Sequence, residues 1–136
     1  MPCYKKILVA IDCSPVDDTV IEHLMALAVP LGATLHLLHV VHSHTRDQER
    51  YLREQAVTTL EGYRATLRAA GIATEVLIRS GEPEHEIPKE VEEHGYDLLA
   101  MAIHGHNLPC RILFGSVSRS IRQKITIPLL LVTPPR

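Results

Sequence analysis

The sequence predicts an α/β fold with one open, five-stranded parallel sheet and helices on both faces. Short apolar segments rich in branched residues alternate with longer amphipathic segments along the whole chain. Strands buried on both faces are typical of parallel sheets, and helical crossovers join such strands with right-handed geometry. The 136 residues suit one domain, residues 1–136, with a single sizeable core.

The first strand and first helix have clear boundaries. The segment KKILVAID (Lys5–Asp12) is apolar, branched and ends in a polar residue, which predicts a strand buried on both faces. After Pro15, apolar residues recur at helical spacing. Gly32 then predicts the C-terminal cap of this helix.

The middle of the chain continues the alternation. The apolar segment Ala33–Val41 predicts the second strand. A charged segment with one apolar stripe, Arg46–Ala70, predicts a long helix with one buried face, and Gly71 follows it. The third strand is predicted at Ile72–Ser80.

The last part of the chain holds two further helix–strand units. A Gly-Glu-Pro turn predicts a third helix that lasts to about His94, with glutamates on a solvated face. Asp97–Ile103 predicts the fourth strand. A fourth helix is expected from about Ser116 to Lys124, and Ile127–Thr133 predicts the last strand.

Composition excludes several classes of function. A net charge of −2, from 14 basic and 16 acidic side chains, argues against a nucleic-acid partner. No segment approaches the ~20 apolar residues of a membrane span, and the first apolar segment is shorter than the roughly 7–15 residues of a signal-peptide core. Three scattered cysteines indicate a reducing compartment. We therefore expect a cytoplasmic protein without a membrane partner.

The segment HGHNLPCRILFGS, residues 104–116, is the least typical of scaffold sequence. Binding sites in open parallel sheets lie beyond the carboxyl ends of the strands, and this segment follows the fourth strand. Gly105 permits close approach of a ligand to the backbone. Gly115 and Ser116 open a helix whose first N–H groups attract phosphate. Ser118 and Arg111 could add contacts, but a turn glycine with an ordinary N-cap explains the same spacing.

The spacing of Ala102, Gly105, Gly115 and Ser116 resembles the universal stress protein motif G-x-x-G, nine residues, G-[S/T]. The segments YKKILVAIDCS, LHLLHVV and IPLLLVT resemble the first, second and last strands of that family. The chain is identified as a member on these residues. Membership implies the strand order 3-2-1-4-5 and a homodimer paired through the last strand, here the segment formed by Leu129, Leu130, Leu131 and Val132.

One branch of the family binds ATP, and the resemblance implies the contact residues. The first strand's end would face adenine and ribose, the second strand's backbone would read the adenine edge, and the motif would hold ribose and phosphates. In that order the residues are Ala10, Ile11 and Asp12, then Val40, then Met101, Ala102, Gly105, Gly115, Ser116, Val117 and Ser118. Ala102 departs from the motif, because a glycine is expected there. A negative φ would make its methyl group tolerable, whereas a positive φ or a backbone contact with the ligand would make alanine weaken binding.

Two other functions remain compatible with the sequence. The chain could be a dimeric interaction module that binds no nucleotide, or a slow ATPase or autophosphorylating protein with Ser116 and Ser118 as acceptors. Asp12 is a candidate magnesium ligand, because Mg²⁺ in nucleotide sites takes carboxylates together with phosphates. No base for activating water accompanies Asp12 in the sequence, so efficient ATP hydrolysis is not expected.

Histidines and cysteines near the same edge suggest further sites. A shared metal site is conceivable, but the Cys/His spacing of structural zinc sites is absent. The histidines concerned are His39, His42, His44, His104 and His106. We expect His39 and Cys13 to be packed residues, and Cys110 is a candidate redox-sensitive thiol.

Overall fold

The computed structural model describes residues 3–103 and 114–133, with residues 114–116 described by their backbone alone. Five strands alternate with four helices, as the sequence predicts. In chain order these are β1 (Lys6–Ala10), α1 (Asp17–Leu31), β2 (Thr34–Val41), α2 (Arg46–Ala69), β3 (Thr74–Ser80), α3 (Pro83–His94), β4 (Leu98–Ala102), α4 (Phe114–Lys124) and β5 (Leu129–Val132).

The strands form one parallel sheet in the order β3-β2-β1-β4-β5, which confirms the predicted topology. The central strand β1 pairs with β2 on one side and β4 on the other, so that Ala10 lies between Leu38 and Met101. The strand order reverses at β1, with β2 leading to one edge and β4 to the other. Ligands of open α/β sheets bind at this switch point.

Two hydrophobic clusters cover the two faces of the sheet. Ile7 and Val9 of β1 pack with Leu24 of α1 and Leu60 of α2 on one face. On the other face, Leu8 packs with residues of α3 and α4. This alternation along β1 is the period-two pattern of a strand buried on both sides.

Three predicted element boundaries have a clear outcome in the structure. Gly32 has a φ of 62° and its N–H bonds to the carbonyl of Val29 at 3.3 Å, which confirms the predicted cap of α1. β1 ends at Ala10, two residues before the predicted end, so Asp12 lies in the following loop. α4 begins at Phe114 rather than at Ser116, which places the Gly-Ser pair inside its first turn.

The acidic helix α3 differs from the sequence interpretation at one residue. Glu90 is only 2% exposed. Its Oε1 accepts a hydrogen bond from Nη1 of Arg79 at 2.7 Å, and its Oε2 accepts one from the Tyr96 hydroxyl at 2.7 Å. The expectation that all glutamates of α3 face solvent was therefore wrong for Glu90, which ties α3 to β3.

Within residues 3–103 and 114–133, no helix combines the length and the apolar character needed to cross a bilayer.

Candidate functional site

A cavity of about 250 Å³ lies at the carboxyl edge of the sheet, on the face covered by α3 and α4. It is bounded by the ends of β1, β2 and β4, by the loop after β1, and by the first turns of α3 and α4. Its lining residues are Ala10, Ile11, Asp12, Cys13, Ser14, Leu38, His39, Val40, Pro83, Ile87, Met101 and Val117. Most of this surface is apolar, with polar groups from the β1 loop and β2, and such cavities are typical of small-molecule sites.

The structure brings half of the sequence-predicted site residues into this cavity. They are Ala10, Ile11, Asp12, Val40, Met101 and Val117. Ala102 does not line the cavity, because its side chain is 2% exposed and packs in the cluster on the opposite face of the sheet. Its φ is not positive, so the alanine is unstrained in the place of the motif glycine. Ser118 is buried in α4 and lies outside the lining.

Several predicted residues cannot be placed. Gly105, Arg111, His104, His106 and Cys110 lie outside the described residues. Gly115 and Ser116 belong to the first turn of α4, and nothing is described of their side chains. Their predicted contacts with phosphate stay predictions.

The N–H and C=O groups of Val40 face the cavity and have no hydrogen-bond partner among the described residues. Residues of β2 alternate in the direction of their N–H and C=O groups, so Leu38 bonds toward β1 and Val41 toward β3. Accordingly, the Leu38 carbonyl accepts from Ile11 N–H at 2.8 Å, and the Val41 carbonyl accepts from Gly81 N–H at 2.9 Å. The next rung would join Val40 N–H to the Ile11 carbonyl, but no such bond forms among the described residues. Val40 therefore presents a donor and an acceptor side by side.

The imidazole of His39 bonds to the Ile11 carbonyl, the acceptor that Val40 N–H would use in a continued ladder. Its Nδ1 lies 2.7 Å from the Ile11 carbonyl oxygen. A carbonyl can only accept a hydrogen bond, so Nδ1 carries the hydrogen and donates. His39 was expected to be a packed residue and is half-buried, but its polar contact and its place in the cavity lining were not foreseen.

The loop after β1 folds around the carboxyl group of Asp17. The Asp17 Oδ1 accepts from Asp12 N–H at 3.3 Å, and its Oδ2 accepts from Ser14 N–H at 3.0 Å. Ser14 N–H also donates to Oδ1 of Asp12 at 3.1 Å. Burial raises the pKa of Asp17 to about 8, and the charge of Asp12 acts in the same direction. Asp17 is 1% exposed and lies behind the cavity rim.

Cys13 turns the chain at the cavity rim. Its φ of 64° is the one positive value among the described non-glycine residues. The residue is exposed, so the expectation of a packed residue was wrong. Although the residue as a whole is exposed, its thiol is partly desolvated. This desolvation and the negative charges of Asp17 and Asp12 raise the pKa of Cys13 to about 11. The thiol is therefore protonated at neutral pH and a weak nucleophile.

The structure gives no support to a histidine metal site among the described residues. Nδ1 of His39 is engaged by the Ile11 carbonyl. The exposed rings of His42 and His44 meet edge to face at 5.4 Å. In residues 3–103 and 117–133, three potential ligand side chains converge only at Glu82, Glu84 and His85 on the outer side of α3.

Only weak sequence signals mark the cavity residues that the predictions missed. Asp17 resembles any acidic residue in the first turn of a helix, where a carboxylate is favourable. Pro83 and Ile87 belong to the helix after the Gly-Glu-Pro turn, which follows the carboxyl end of β3. That position could have indicated a cavity wall.

The chain resembles proteins of one family over nearly its whole length. A sequence model of the universal stress protein family matches residues 3–133. Universal stress protein YxiE of Bacillus subtilis is 28% identical over 95% of this chain and 99% of its own length. Universal stress protein MJ0577 of Methanocaldococcus jannaschii is 27% identical over 95% of this chain and 94% of its own length. The solved structure of MJ0577 has a TM-score of 0.81 and 30% identity, covering 98% of each chain.

Two solved structures with bound nucleotides share the fold at lower identity. A universal stress protein from Archaeoglobus fulgidus in complex with dAMP has a TM-score of 0.71 and 23% identity, covering 97% of this chain and 99% of its own. A universal stress protein family protein of Arabidopsis thaliana with AMP bound has a TM-score of 0.72 and 20% identity, covering 96% of this chain and 92% of its own.

Proposed function

The chain belongs to the universal stress protein family, and we propose that it binds an adenine nucleotide such as ATP at the carboxyl edge of its sheet. The bound state would act in the cytoplasmic stress response through a dimer or a partner surface. The observation that carries the proposal is the unpaired main-chain donor and acceptor of Val40, which face an apolar cavity.

The polarity of Val40 favours adenine over guanine. Adenine presents an amino donor beside a ring-nitrogen acceptor on its Watson–Crick edge, which matches the C=O and N–H of one residue. Guanine presents an oxygen acceptor beside an N–H donor on the same edge, so both contacts would be reversed. Mismatched polar groups in a cavity remain unsatisfied, and each costs about 1–3 kcal/mol.

The remaining walls suit a flat apolar ring next to a sugar. Ala10, Leu38 and Met101 form the floor at the ends of three adjacent strands, and Ile87 forms a wall from α3. Asp12 lies at the rim, where its carboxylate would accept hydrogen bonds from ribose hydroxyls. The related proteins from A. fulgidus and A. thaliana hold dAMP and AMP.

Phosphate and magnesium contacts complete the proposal. The first N–H groups of α4 suit phosphate, with Gly105, Arg111, Gly115, Ser116 and Ser118 as its contacts. Asp12 offers carboxylate oxygens, the ligands that Mg²⁺ prefers, at the cavity rim. The donor chemistry fits this ion. Asp12 would hold it together with the nucleotide's phosphates, and the ion would neutralise their charge.

Calorimetry on protein stripped of nucleotide tests the proposal. The wild type should bind ATP and AMP, and Ala10→Leu should weaken both by at least about tenfold, because the larger side chain fills the cavity floor. Ala26→Leu, on the exposed face of α1, is the matched control and should bind as the wild type does. A wild type that binds neither nucleotide would overturn the proposal, as would full affinity in a folded Ala10→Leu variant.

The edge strand β5 supports the proposed homodimer. β5 pairs with β4 on one side, where Leu99 N–H bonds to Pro128 C=O at 3.0 Å and Ile103 N–H to Val132 C=O at 2.8 Å. Alternation along β5 then directs the N–H and C=O groups of Leu129 and Leu131 away from β4. An apolar edge strand with unpaired N–H and C=O groups is a template for strand pairing. The same strand of a second copy, related by a two-fold axis, would bond to these groups.

Leu131→Pro separates edge pairing from folding. Proline removes an N–H that points away from β4, so the β4–β5 ladder keeps its bonds. We expect sedimentation to give a dimer for the wild type at micromolar concentration and a monomer for this variant. Leu130→Pro is the control that breaks the β4–β5 ladder and should reduce stability. A monomeric wild type would contradict the dimer.

A further inference from the structure

We propose that His39 is a positioning residue for base recognition, because it keeps the main chain of Val40 available to the ligand. The inference rests on the proposed nucleotide site but concerns a residue that does not itself need to touch the nucleotide. It follows from the competition between two donors, the His39 Nδ1–H and the Val40 N–H, for one acceptor, the carbonyl of Ile11.

The geometry of the sheet defines that competition. β1 and β2 keep a regular parallel ladder up to Ala10 and Leu38. Ile11 still donates its N–H to the Leu38 carbonyl at 2.8 Å, so its own carbonyl stays close to β2. A regular ladder would next place the Val40 N–H on this carbonyl. In the structure the His39 Nδ1 is there instead, at 2.7 Å.

The departure of β1 from β2 has a visible cause. Cys13 has a φ of 64°, and the amides of Asp12 and Ser14 donate to the Asp17 carboxyl. The chain thus turns away directly after Ile11 and leaves one carbonyl at the end of the ladder. The His39 side chain satisfies this carbonyl, so closing the ladder would bring no further hydrogen bond to Ile11.

Without the imidazole of His39, the Val40 N–H is the donor favoured at the Ile11 carbonyl. The Ile11 carbonyl would lack a donor, and an unsatisfied buried carbonyl favours closing the next rung on the Val40 N–H. That bond would consume the donor proposed to read the base. Loss of His39 should therefore reduce discrimination between bases more than it reduces the contribution of ribose and phosphates.

The first test needs no ligand. Hydrogen exchange by NMR should show a poorly protected Val40 amide in wild-type protein, compared with the Leu38 amide in the ladder. In His39→Leu, protection of Val40 should rise by at least about tenfold, as expected for an amide that gains a hydrogen bond. His39→Asn carries an N–H at the place of Nδ1 and should restore the wild-type pattern. His36→Leu, a half-buried histidine of β2 that packs on Tyr96, is the matched control.

The second test uses AMP and inosine monophosphate, which differ only on the edge that Val40 would read. The wild type should prefer AMP by about tenfold or more, as expected for mismatched hydrogen bonds. His39→Leu should lose most of that preference, while His39→Asn and His36→Leu should keep it.

The outcomes separate the two proposals. Equal Val40 protection in wild type and His39→Leu would overturn the role of His39, and so would an unchanged preference for AMP. A wild type that binds neither nucleotide would overturn the proposed function but leave the exchange experiment decisive for the competition at Ile11.

Discussion

Asp17 and Glu90 are buried to nearly the same extent, with 1% and 2% of their surfaces exposed, but their neighbours are opposite in kind. Glu90 meets the Arg79 guanidinium and the Tyr96 hydroxyl. Asp17 meets two backbone amides and a second carboxyl group, that of Asp12, and no Lys or Arg among the described residues pairs with it. The first carboxylate joins α3 to the sheet. The carboxyl group of Asp17 lies beside a cavity and, with a pKa of about 8, retains its proton at neutral pH.

The contrast indicates which region serves stability and which serves binding. Partial burial opposes the charge of Arg79, but its hydrogen bonds with Glu90 and Glu86 raise the pKa of the guanidinium. A group whose pKa is strongly shifted by its surroundings, as that of Asp17 is, is more typical of a functional site. Ionisation of Asp17 in the loop from Asp12 to Asp17 therefore costs folding free energy, whereas the contact of Glu90 with Arg79 does not carry this cost.

The largest effect is expected from removing the cation of the stabilising pair. Arg79→Met would leave buried Glu90 without its guanidinium partner, with only the exposed His94 ring 3.8 Å away, and we expect a loss of about 3–5 kcal/mol in the free energy of unfolding. Urea denaturation measures it. Arg53→Met is the matched control, because Arg53 pairs with Glu49 at the surface and should contribute less than about 1 kcal/mol. Equal losses in the two variants would contradict the structural role of Arg79.

The next effect concerns the pH dependence of stability. The pKa of Asp17 is about 8 in the folded protein, against 3.8 as its ordinary value. Between these values the folded chain holds a proton that the unfolded chain has released, so stability falls as pH rises, by at most about 1.4 kcal/mol per unit. Asp17→Asn should flatten this slope and be more stable at pH 7.

Urea denaturation from pH 4.5 to 8 in a buffer without divalent cations checks this prediction. Asp47→Asn, at the exposed start of α2, is the control and should retain the wild-type slope. The same slope in wild type and Asp17→Asn would show that Asp17 titrates normally.

The smallest effect is expected at Cys13. Its positive φ is strained for any residue with a Cβ, and it lies in the loop around Asp17 rather than near Glu90. Cys13→Gly should raise the free energy of unfolding by about 0.5–1 kcal/mol, since glycine adopts this conformation freely. Cys3→Gly, at another exposed cysteine, should change little. Destabilisation by Cys13→Gly would mean that contacts of the side chain outweigh the strain.

The alternation of apolar and amphipathic segments predicted every element of the fold. The sequence periods of strands and helices depend on neighbouring residues alone, so they can be read without tertiary contacts. Gly32 marked the end of α1 correctly for the same local reason. The boundaries at Asp12 and Ser116 were wrong by two residues. The end of β1 depends on Asp17, a residue five positions further along, and no local pattern reports that contact.

The candidate site was predictable only where position in a strand determines it. Val40 and Met101 follow from being at the carboxyl ends of their strands. Glu90 carried a usable signal, since it lies three residues after Ile87 and directly before Val91 on the apolar stripe of α3. No sequence signal indicated the contact of His39 with Ile11, because it forms where the hydrogen bond between Val40 N–H and the Ile11 carbonyl is missing from the ladder.

The omitted rung also affects how this edge would respond to mutation. The donor and acceptor at position 40 belong to the main chain, and every residue except proline supplies the same pair. An alanine scan would therefore register little at Val40 beyond the loss of packing, and related chains can differ there without changing which base they select. Proline, the one residue without the donor, would reveal the position.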